Sequence, residues 1–569
     1  MLHLQRRFVT SRTTCIPSLK KTFTKTLSTR TEFTHRTEEN VIRGNKSLEY
    51  PVEDCFTFFS KRFEQFGERV AMVDGVTGTE LTFSQLVQNS RKLGSYFHEK
   101  NFKLRDRVSI FLPTCTKYSY SMLGAFANGM AVTTIHPAFT AHEMHNQIKT
   151  STPKVVITNA HLLDTARQAS ENSSIETMIC LDDTSISDSG VVNMSDILQN
   201  GDENFSTDLS AINPEKDIAF ILYSSGTTGL PKGVIISHFS MINCLLQVRE
   251  FFGENMPDNV LAAIPVYHMY GMVLFLFVNP YHGNRVYTLP KFDPVQFLSS
   301  IQNYKIGRIC IAPPILLFLT KSPLVDQYDM SSLKSIIVGA APVDEQLSHA
   351  FNERFPWITL QQCYGMTEAG FATLQANDAS FNSAGSVGQI LADGECKIVS
   401  LTTGEFLGPY EQGEVYLRGA QQMLGYLNNE KATTETILED GWLRSGDLGY
   451  YDDENNLFVI DRLKELIKYK GFQVAPAELE DLLISHENIV DSCVIGVPCE
   501  RAGEVPRAYI VKKPGSDLTE DEVKDFVGER FSDHKHLRGG VQFVEQLPKS
   551  ASGKLLRRVL RDQYLEERE

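Results

Sequence analysis

Residues 223–233 read Tyr223-Ser224-Ser225-Gly226-Thr227-Thr228-Gly229-Leu230-Pro231-Lys232-Gly233 and follow directly on the apolar run Ile218 to Leu222. Glycines let backbone N–H groups approach an anion closely, and they tolerate positive φ. Four Ser and Thr hydroxyls in the stretch add hydrogen-bond donors, and the lysine adds positive charge. A buried strand that leads into such a loop predicts a binding site for a polyphosphate.

The spacing of this loop excludes a P-loop. The Walker pattern needs G-x-x-x-x-G-K-[ST], whereas Gly226 and Gly229 are three residues apart and Pro231 precedes the lysine. The alternative, a flexible Gly/Ser turn, does not explain why four hydroxyls, Gly226, Gly229 and a lysine directly follow an apolar strand. We therefore expect a phosphate loop of another kind.

On the N-terminal side of the loop, strand-like and helix-like segments alternate, which predicts an α/β fold with parallel sheets covered by helices. The predicted strands are 108–112, 132–135, 155–157 and 218–222, and the predicted helix is 118–131. The polar stretch 184–207 is predicted to be a surface excursion. Near residue 460 the pattern changes to a strand at 457–460 and a helix that starts at Ala475-Pro476 with acidic residues in its first turn.

Composition and charge exclude several classes of protein. At 569 residues, the chain exceeds one domain of roughly 100–200 residues. A formal net charge of −15 is unsuited to nucleic-acid binding, which needs a dense basic face. The most apolar short run, Met272 to Val278, is far below the about 20 residues of a transmembrane helix. The ten cysteines include no Cys-x-x-Cys pair, which disfavours a zinc or redox motif and predicts reduced thiols.

The first 31 residues are basic and rich in Ser and Thr, and the first acidic residue is Glu32. This composition is typical of an organellar transit peptide, so residues 1–40 are predicted to lie outside the fold and to direct the protein to mitochondria. The alternative is a disordered basic tail without an address, which leaves the protein cytoplasmic. The C-terminal Glu-Glu-Arg-Glu is not a peroxisomal signal.

Five motifs, in this order along the chain, resemble those of the AMP-forming adenylating enzymes, which include acyl-CoA synthetases, 4-coumarate–CoA ligases and beetle luciferases. The motifs are the loop at 223–233, Tyr364-Gly365-Met366-Thr367-Glu368-Ala369, Ser445-Gly446-Asp447-Leu448-Gly449, the segment 461–471 from Asp461-Arg462 to Lys470-Gly471, and Pro548-Lys549-Ser550-Ala551-Ser552-Gly553-Lys554. The resemblance covers about residues 50–560.

The resemblance implies a large N-terminal domain of parallel-rich sheets with helices and a β-subdomain, here 41–462. A small, mobile α+β domain would follow, here 463–569. It also implies an acid–thiol ligase that uses ATP, Mg²⁺ and coenzyme A. A small-molecule carboxylate attacks the α-phosphate of ATP to form an acyl-adenylate and pyrophosphate, and coenzyme A then displaces AMP.

Roles in the large domain follow from the same resemblance. The phosphates would be held by Ser224, Ser225, Gly226, Thr227, Thr228 and Lys232, with Thr367 at the α-phosphate and Glu368 at Mg²⁺. The ribose would be bound by Asp447 and Arg462, and the nucleotide and acyl pocket would be lined by Ala340 and Gln362. The acyl pocket would be gated by His268, with Tyr270 on its wall and Cys363 at its floor, and Lys291 would contact coenzyme A.

Cys363 stands where the family commonly has Gly, and Phe371 stands where the 4-coumarate–CoA ligases usually have Pro. An added side chain at 363 would narrow or shift the floor of the acyl pocket.

Roles in the small domain are implied in the same way. Lys554 is the main catalytic candidate, Lys468 and Gln473 support adenylation, Lys470 and Gly471 meet coenzyme A, and Lys464 is the hinge. Without the resemblance, Lys554 reads as a surface lysine, Thr367-Glu368 as a helix cap, Ser-Gly-Asp as a turn and His268 as a packed core residue.

Three other activities remain open at this stage: a luciferase-type oxygenase, a non-catalytic nucleotide-binding homologue and an adenylation module that loads a carrier protein. The acid also remains open among fatty, aromatic and other carboxylates. The sequence carries no signal for an oligomeric state.

Overall fold

The computed structural model describes residues 34–36, 40–45, 47–182, 190–224, 231–252, 257–341, 343, 345–376, 383–470, 472–499, 501–549 and 555–567, with only the backbone of 34–36, 472 and 473. These residues belong to one compact unit.

The strands, in chain order, are β1 Thr34–Arg36, β2 Ile42–Gly44, β3 Val70–Asp74, β4 Glu80–Thr82, β5 Arg107–Phe111, β6 Ala131–Ile135, β7 Val155–Thr158, β8 Thr177–Cys180, β9 Val191–Asn193, β10 Ile218–Ser224, β11 Lys232–Ser237, β12 Asn259–Ala262, β13 Arg285–Thr288, β14 Arg308–Ile311, β15 Ser335–Val338, β16 Thr359–Met366, β17 Gly370–Leu374, β18 Gln389–Ile390, β19 Glu395–Val399, β20 Gly413–Arg418, β21 Gly425–Tyr426, β22 Leu443–Tyr451, β23 Leu457–Arg462, β24 Ile467–Tyr469, β25 Phe472–Val474, β26 Ile489–Cys499, β27 Gly503–Lys512 and β28 Val541–Phe543.

The helices are α1 Cys55–Glu64, α2 Phe83–Glu99, α3 Lys117–Ala127, α4 Ala141–Ser151, α5 Leu163–Ser170, α6 Met194–Asn200, α7 His238–Phe252, α8 Met269–Gly271, α9 Asn279–Tyr281, α10 Pro294–Asn303, α11 Pro313–Lys321, α12 Glu345–Arg354, α13 Glu430–Thr436, α14 Pro476–Ser485, α15 Glu520–Gly528 and α16 Arg557–Glu566. A π-helical segment, Met272–Val278, joins α8 to α9, and 3₁₀ turns lie at Pro323–Gln327 and Asp533–Lys535.

Two large mixed sheets form the centre of the molecule. The eight-stranded sheet has the order β21-β11-β10-β6-β5-β7-β8-β9, and the nine-stranded sheet has the order β18-β17-β16-β15-β14-β12-β13-β3-β4. The inner pairs, such as β10–β6 and β14–β15, are parallel, whereas edge pairs such as β10–β11 and β16–β17 are antiparallel. The predicted α/β class with parallel-rich sheets is confirmed.

Two smaller sheets complete the architecture. An antiparallel six-stranded sheet, β1-β2-β19-β20-β22-β23, is the predicted β-subdomain. A five-stranded sheet contains β25-β24-β27-β26 with β28 beside β27, and with α14, α15 and α16 it encloses a hydrophobic cluster of its own. This cluster draws only on residues 467–564, so the small α+β unit has a separate core. The boundary between 462 and 463 stays a prediction.

Three local expectations need correction. The predicted helix 118–131 ends at Ala127, because Gly129 turns the chain with a left-handed φ of 68° before β6 begins. The predicted surface excursion contains β9, which extends the eight-stranded sheet, and α6. The strand β1 pairs with β2, so the ordered fold starts before residue 40. Its polar sequence, Thr-His-Arg, gave no apolar signal for a strand.

Two predictions about composition can be compared with the structure. The nine cysteines in the described part of the chain are free thiols. Among the same residues, no helix is both long enough and apolar enough to cross a membrane.

Buried His238, the first residue of α7, predicts a loss of stability in mild acid. Its ring is 2% exposed, and its Nδ1 accepts a hydrogen bond from the Cys55 N–H at 3.1 Å. Burial lowers the pKa of His238 from 6.5 to about 4. The unfolded chain therefore takes up a proton at pH values where the folded chain does not. The contribution of His238 is complete above pH 6.5, falls as the pH decreases towards 4, and has lost about 2 kcal/mol at pH 5.

We expect the free energy of unfolding of His238→Asn to change less between pH 7 and pH 5 than that of the wild-type chain. Urea denaturation at the two pH values measures this difference. His349→Asn, at an exposed position, is the control and should keep the wild-type difference. Equal pH dependence in wild type and His238→Asn would contradict the prediction.

Candidate active site

The predicted phosphate loop connects two strands at one edge of the eight-stranded sheet. Ser224 ends β10 and Lys232 begins β11, and the two residues are direct cross-strand partners. The ends of the loop are therefore held together by backbone pairing. Ala340, Thr367 and His268 follow β15, β16 and β12 of the nine-stranded sheet, at the carboxyl ends of these strands. Carboxyl ends of parallel strands are where open α/β sheets bind ligands.

Asp447 lies at the centre of a buried polar cluster. It is 2% exposed on β22, and its cross-strand partner on β23 is Arg462. The Arg462 Nε lies 2.8 Å from Asp447 Oδ1, and the Tyr364 hydroxyl donates to Oδ2 at 2.5 Å. The Asp447 charge raises the pKa of Arg462, whereas burial, followed by Asp447, raises the pKa of Tyr364. The structure therefore brings two predicted ribose residues together.

Lys232 and Glu368 meet at one tyrosine that the sequence analysis did not select. The Tyr426 hydroxyl donates to Glu368 Oε1 at 2.9 Å, and the Lys232 ammonium lies 4.6 Å from the centroid of the Tyr426 ring. Glu368 is 6% exposed, and its carbonyl accepts from the Met423 N–H at 2.8 Å. Thr367 lies half-buried in the same turn between β16 and β17. Two residues predicted for phosphate and metal are thus neighbours.

The predicted acyl-pocket residues form an apolar cluster. A Cβ placed on Gly339 would lie 2.6 Å from the Cys363 Sγ and 3.2 Å from Tyr270 Cζ, so these side chains fill the space beside Gly339. The Tyr270 hydroxyl donates to the Ile337 carbonyl at 3.0 Å, and its ring lies 5.8 Å from that of Phe371. Burial raises the pKa of the Cys363 thiol to about 12, which makes it a packing group rather than a nucleophile.

Two further predicted pocket residues have distinct backbone settings. Ala340 is exposed and has φ of 74°, a left-handed conformation that is strained for alanine and concentrates at functional sites. Gln362 on β16 is 5% exposed, and its N–H donates to Gln375 Oε1 at 2.8 Å.

His268 belongs to a group of rings beside this pocket. It caps the short helix α8, and its ring centroid lies 4.8 Å from Tyr267 and 6.1 Å from His136. Burial lowers the pKa of His268 to about 4, so the imidazole is neutral at pH 7. A neutral, half-buried ring at the N-cap of α8 is suited to gate or line a pocket, and it is not suited to supply a positive charge.

The predicted small-domain residues lie on one hairpin. Lys468 on β24 is the cross-strand partner of Gln473 on β25, and Lys470 occupies the turn with φ of 46°. The side chains of Lys468 and Lys470 are exposed. Lys464 is exposed in the turn that connects β23 to β24, where a hinge between the two units was predicted.

Some predicted residues are not brought to these clusters. Lys291 is exposed after β13 and, within the described part of the chain, forms no ion pair. Ser225, Gly226, Thr227, Thr228, Gly471 and Lys554 lie outside the described residues, as does the side chain of Gln473.

Comparisons with known proteins bear on this arrangement. The family model described as AMP-binding enzyme matches residues 59–427, and the model described as AMP-binding enzyme C-terminal domain matches 478–554. The chain belongs to the AMP-binding enzyme family. 4-Coumarate–CoA ligase 2 of Nicotiana tabacum is 38% identical over 515 residues, which cover 89% of this chain and 93% of the tobacco protein.

Other relatives agree with this assignment to the AMP-binding enzymes. The probable 4-coumarate–CoA ligase 1 of Dictyostelium discoideum is 37% identical over 87% of this chain and 92% of its own length. The structure of o-succinylbenzoate CoA synthetase from Bacillus subtilis with its acyl-adenylate intermediate matches with a TM-score of 0.77 and 25% identity, covering 90% of this chain and 99% of the other. ATP-bound MatB from Rhodopseudomonas palustris shares the fold, with a TM-score of 0.81, 24% identity, and coverage of 90% and 99%.

These relatives confirm the predicted family and, as the class of activity, an AMP-forming acid–CoA ligase that uses ATP and coenzyme A. The roles of individual residues stay predictions. In this member of the AMP-binding enzymes the two model matches lie on either side of Lys464, the predicted hinge residue.

Asp461, to which the sequence motifs assigned no separate role, lies beside the predicted hinge of this AMP-binding enzyme. Asp461 on β23 is 7% exposed, and its Oδ2 accepts from the Ala477 N–H in the first turn of α14 at 2.9 Å. The helix has no side-chain cap of its own, so Asp461 supplies one from the preceding strand. Leu448, Leu466 and Ala475 form a small apolar cluster at the same junction.

The buried position of Arg557 was also not predicted from the sequence. Its Nη2 lies 2.5 Å from Glu480 Oε2, and Glu480 Oε1 accepts from the Val494 N–H at 2.7 Å. Arg557 begins α16 three residues after Lys554, so this buried pair anchors the chain just beyond the predicted catalytic lysine. A pair of basic residues in a C-terminal segment does not reveal, from sequence alone, which one is buried.

Proposed function

We propose that this protein activates a small carboxylic acid with ATP·Mg²⁺ and transfers the acyl group to coenzyme A. The observation that supports this proposal is the presence of two buried carboxylates in separate settings. Asp447 pairs with Arg462, and Glu368 accepts a hydrogen bond from the Tyr426 hydroxyl. Two carboxylates in separate polar clusters suit two tasks, ribose binding and metal binding.

The reaction has two half-reactions. In the first, a carboxylate oxygen of the acid bonds to the α-phosphorus of ATP, the bond from this phosphorus to the bridging oxygen breaks, and pyrophosphate leaves. In the second, the sulfur of coenzyme A bonds to the acyl carbon, the carbon–oxygen bond to AMP breaks, and the thiol proton is released. The barrier to the first step is the approach of two anions, so preorganised donors and cations dominate catalysis.

Each cluster has a task in this scheme. Asp447 is an acceptor for the two ribose hydroxyls, and Arg462 and Tyr364 hold its carboxylate in position. Lys232 and the loop hydroxyls bind phosphate oxygens, and Thr367 donates to the α-phosphate. Lys554 offsets the charge that builds up on this phosphate during attack.

Glu368 is suited to a magnesium ion that arrives with ATP. Within the described residues no three His, Cys, Asp or Glu side chains converge on a metal position. Mg²⁺ in nucleotide enzymes needs only one or two carboxylates, because phosphates and water complete its shell. The hard cation, when bound, neutralises phosphate charge. A single buried carboxylate whose Oε1 is held by Tyr426 fits this role.

The hinge would let one site serve both half-reactions. Rotation of the small domain about Lys464 would exchange Lys554, Lys468 and Gln473, which serve adenylation, for Lys470 and Gly471, which meet coenzyme A together with Lys291. Rotation about a few linker residues is a common mode of domain movement.

The acid itself should have an apolar tail. Tyr270, Cys363 and Phe371 present rings and a thiol, and the Tyr270 hydroxyl is already bonded to a carbonyl. Aromatic acids such as 4-coumarate, the substrate in the names of the plant relatives, and fatty acids both meet this requirement.

Release of AMP tests the proposed function. The full chain is incubated with ATP, Mg²⁺ and coenzyme A and with a panel of aromatic acids and aliphatic acids of increasing length. AMP that requires both an acid and coenzyme A is the expected result. Light with a luciferin would favour the oxygenase, and nucleotide binding without AMP release or pyrophosphate exchange would favour the non-catalytic homologue.

Cys363 should set the size of acid that the pocket accepts. We expect Cys363→Gly to raise kcat/KM for the larger acids relative to the smaller ones by about 10-fold, since one methylene in a pocket is worth 10- to 200-fold. Cys363→Ser keeps the Cβ and one heavy atom beyond it and is the matched control. An unchanged preference in Cys363→Gly would place the floor of the pocket elsewhere.

We also propose a mitochondrial location, because residues 1–31 are basic and contain no acidic residue. Fluorescent fusions of the full chain and of a chain without residues 1–31 should differ in mitochondrial import. A cytoplasmic full-length fusion would favour the alternative, a basic tail without an address.

A further inference from the structure

Tyr426 contacts two groups of opposite charge. Its hydroxyl donates to Glu368 Oε1 at 2.9 Å, and its ring centroid lies 4.6 Å from the Lys232 ammonium. Within the described part of the chain, neither Lys232 nor Glu368 forms an ion pair, although both charges reach the same phenol. The tyrosine therefore contacts both charged groups, which do not pair with each other.

The position of the ring is fixed by backbone contacts. Tyr426 on β21 is the cross-strand partner of Val234 on β11, two residues after Lys232. The Tyr426 N–H donates to the Thr433 Oγ1 at 2.9 Å, and the side chain is 8% exposed. Glu368 is held towards the same segment through its carbonyl, which accepts from Met423. The backbone of Tyr426 is thus held by its neighbours, and the ends of the Lys232 and Glu368 side chains contact its phenol ring and hydroxyl.

Opposite charges in a partly desolvated site attract strongly, and a direct Lys232–Glu368 pair would have to be broken before phosphate and metal could bind. A cation–π contact and a hydrogen bond from a neutral hydroxyl are weaker and can be exchanged for ligand contacts. The arrangement leaves both charges oriented and available.

We propose that Tyr426 is a positioning residue that prevents Lys232 and Glu368 from pairing and so keeps both ready for the phosphates and metal of Mg·ATP. This inference rests on the proposed function. It assigns Tyr426 no contact with the reacting atoms.

Equilibrium binding tests the inference without turnover. We measure the Kd values of Mg·ATP, metal-free ATP and AMP by calorimetry on the full-length wild type and variants. In Tyr426→Leu, the Kd of Mg·ATP should rise about 10-fold, on the scale of coupling between contacting groups, while that of AMP stays within about 2-fold. AMP lacks the outer phosphates, and its proposed contacts are with the Asp447 cluster. A loss of affinity for AMP would therefore indicate general damage to the nucleotide site.

A double-mutant cycle of Tyr426 and Lys232 tests whether Tyr426 acts through Lys232. If Tyr426 acts by keeping the lysine and the glutamate apart, Tyr426→Leu should have little further effect on Mg·ATP in a Lys232→Met background. Tyr426→Phe keeps the ring and loses the hydrogen bond to Glu368. It should weaken Mg·ATP but not metal-free ATP, and it remains informative if the Leu variant does not fold.

Tyr451→Phe is the control for loss of a buried tyrosine hydroxyl in the same domain, where the bond goes to the Leu407 carbonyl at 3.0 Å. Its nucleotide affinities should be those of the wild type. Three results would overturn the inference and leave the proposed function standing. They are equal losses of affinity for Mg·ATP and AMP, additive effects in the cycle, and an unchanged affinity for Mg·ATP in both Tyr426 variants. A wild-type chain that binds neither nucleotide would overturn the proposed function together with the inference.

Discussion

Lys554→Ala should slow formation of the acyl-adenylate by about 100-fold or more, the scale of losing one donor that acts in the transition state. The attacking carboxylate and the α-phosphate are both anionic, and an ammonium next to the phosphate stabilises the charge that develops when the new bond forms. In the second half-reaction the proposed rotation would present a different face of the small domain, and Lys554 would no longer be needed. Thioester formation from preformed acyl-adenylate should therefore be nearly unchanged.

Separate measurement of the two half-reactions checks this prediction. Pyrophosphate exchange reports adenylation, and release of AMP from synthetic acyl-adenylate on addition of coenzyme A reports thioester formation. Arg558→Ala is the control, because Arg558 is a neighbouring cation with an exposed side chain. Among the described residues, it pairs only with Asp562, at 3.4 Å on the same helix. Equal losses in both half-reactions would show that Lys554 does not alternate between two domain positions.

Asp447→Asn should weaken the binding of both ATP and AMP by about 10- to 100-fold, because hydrogen bonds to a charged group are worth roughly 1.5–3 kcal/mol. The carboxylate is 2% exposed, and the substitution leaves Arg462 next to a neutral amide. Loss of one partner of a buried ion pair should also lower the free energy of unfolding by about 3 kcal/mol. Calorimetric binding and urea denaturation measure the two effects.

Asp452→Asn is a matched control for this experiment. Asp452 is also buried in the β-subdomain, 6% exposed, but its carboxylate accepts from the backbone and side chain of Asn456. It should cost stability without changing nucleotide affinity. If Asp447→Asn lost stability and kept its affinity for AMP, the Asp447–Arg462 pair would be structural and the ribose would bind elsewhere.

The contrast between predicted and unpredicted site residues has a physical reason. Lys232 was found because it lies in a loop whose chemistry is visible locally, and Glu368 and Asp447 were found because their motifs resemble those of the AMP-forming adenylating enzymes. Tyr426 is 58 residues from Glu368 in the chain, and only the pairing of β11 with β21 brings it there. Its dipeptide, Gly425-Tyr426, has no feature that distinguishes it from a core tyrosine.

Errors in the predicted elements follow the same logic. The helix 118–131 was extended too far because its apolar spacing continues past Ala127, whereas the left-handed Gly129 ends it. The short strands β1 and β9 have three residues each, too few for an alternating pattern to be recognised. Such strands form because a neighbouring strand offers free backbone groups, which is a property of the assembled sheet.

The sequence by itself determined the α/β class, the order of the motifs and the chemical types present at the phosphate loop, because these depend on local spacing and composition. It indicated the family through the resemblance of its motifs to those of known enzymes. Tertiary structure alone decided which side chains share an environment. Tyr364 reaches Asp447 across 83 residues of chain, Cys363 and Tyr270 fill the space beside Gly339, and Tyr426 joins Lys232 to Glu368. Strand register and the packing of separate sheets set these distances, and neither is encoded in any one segment.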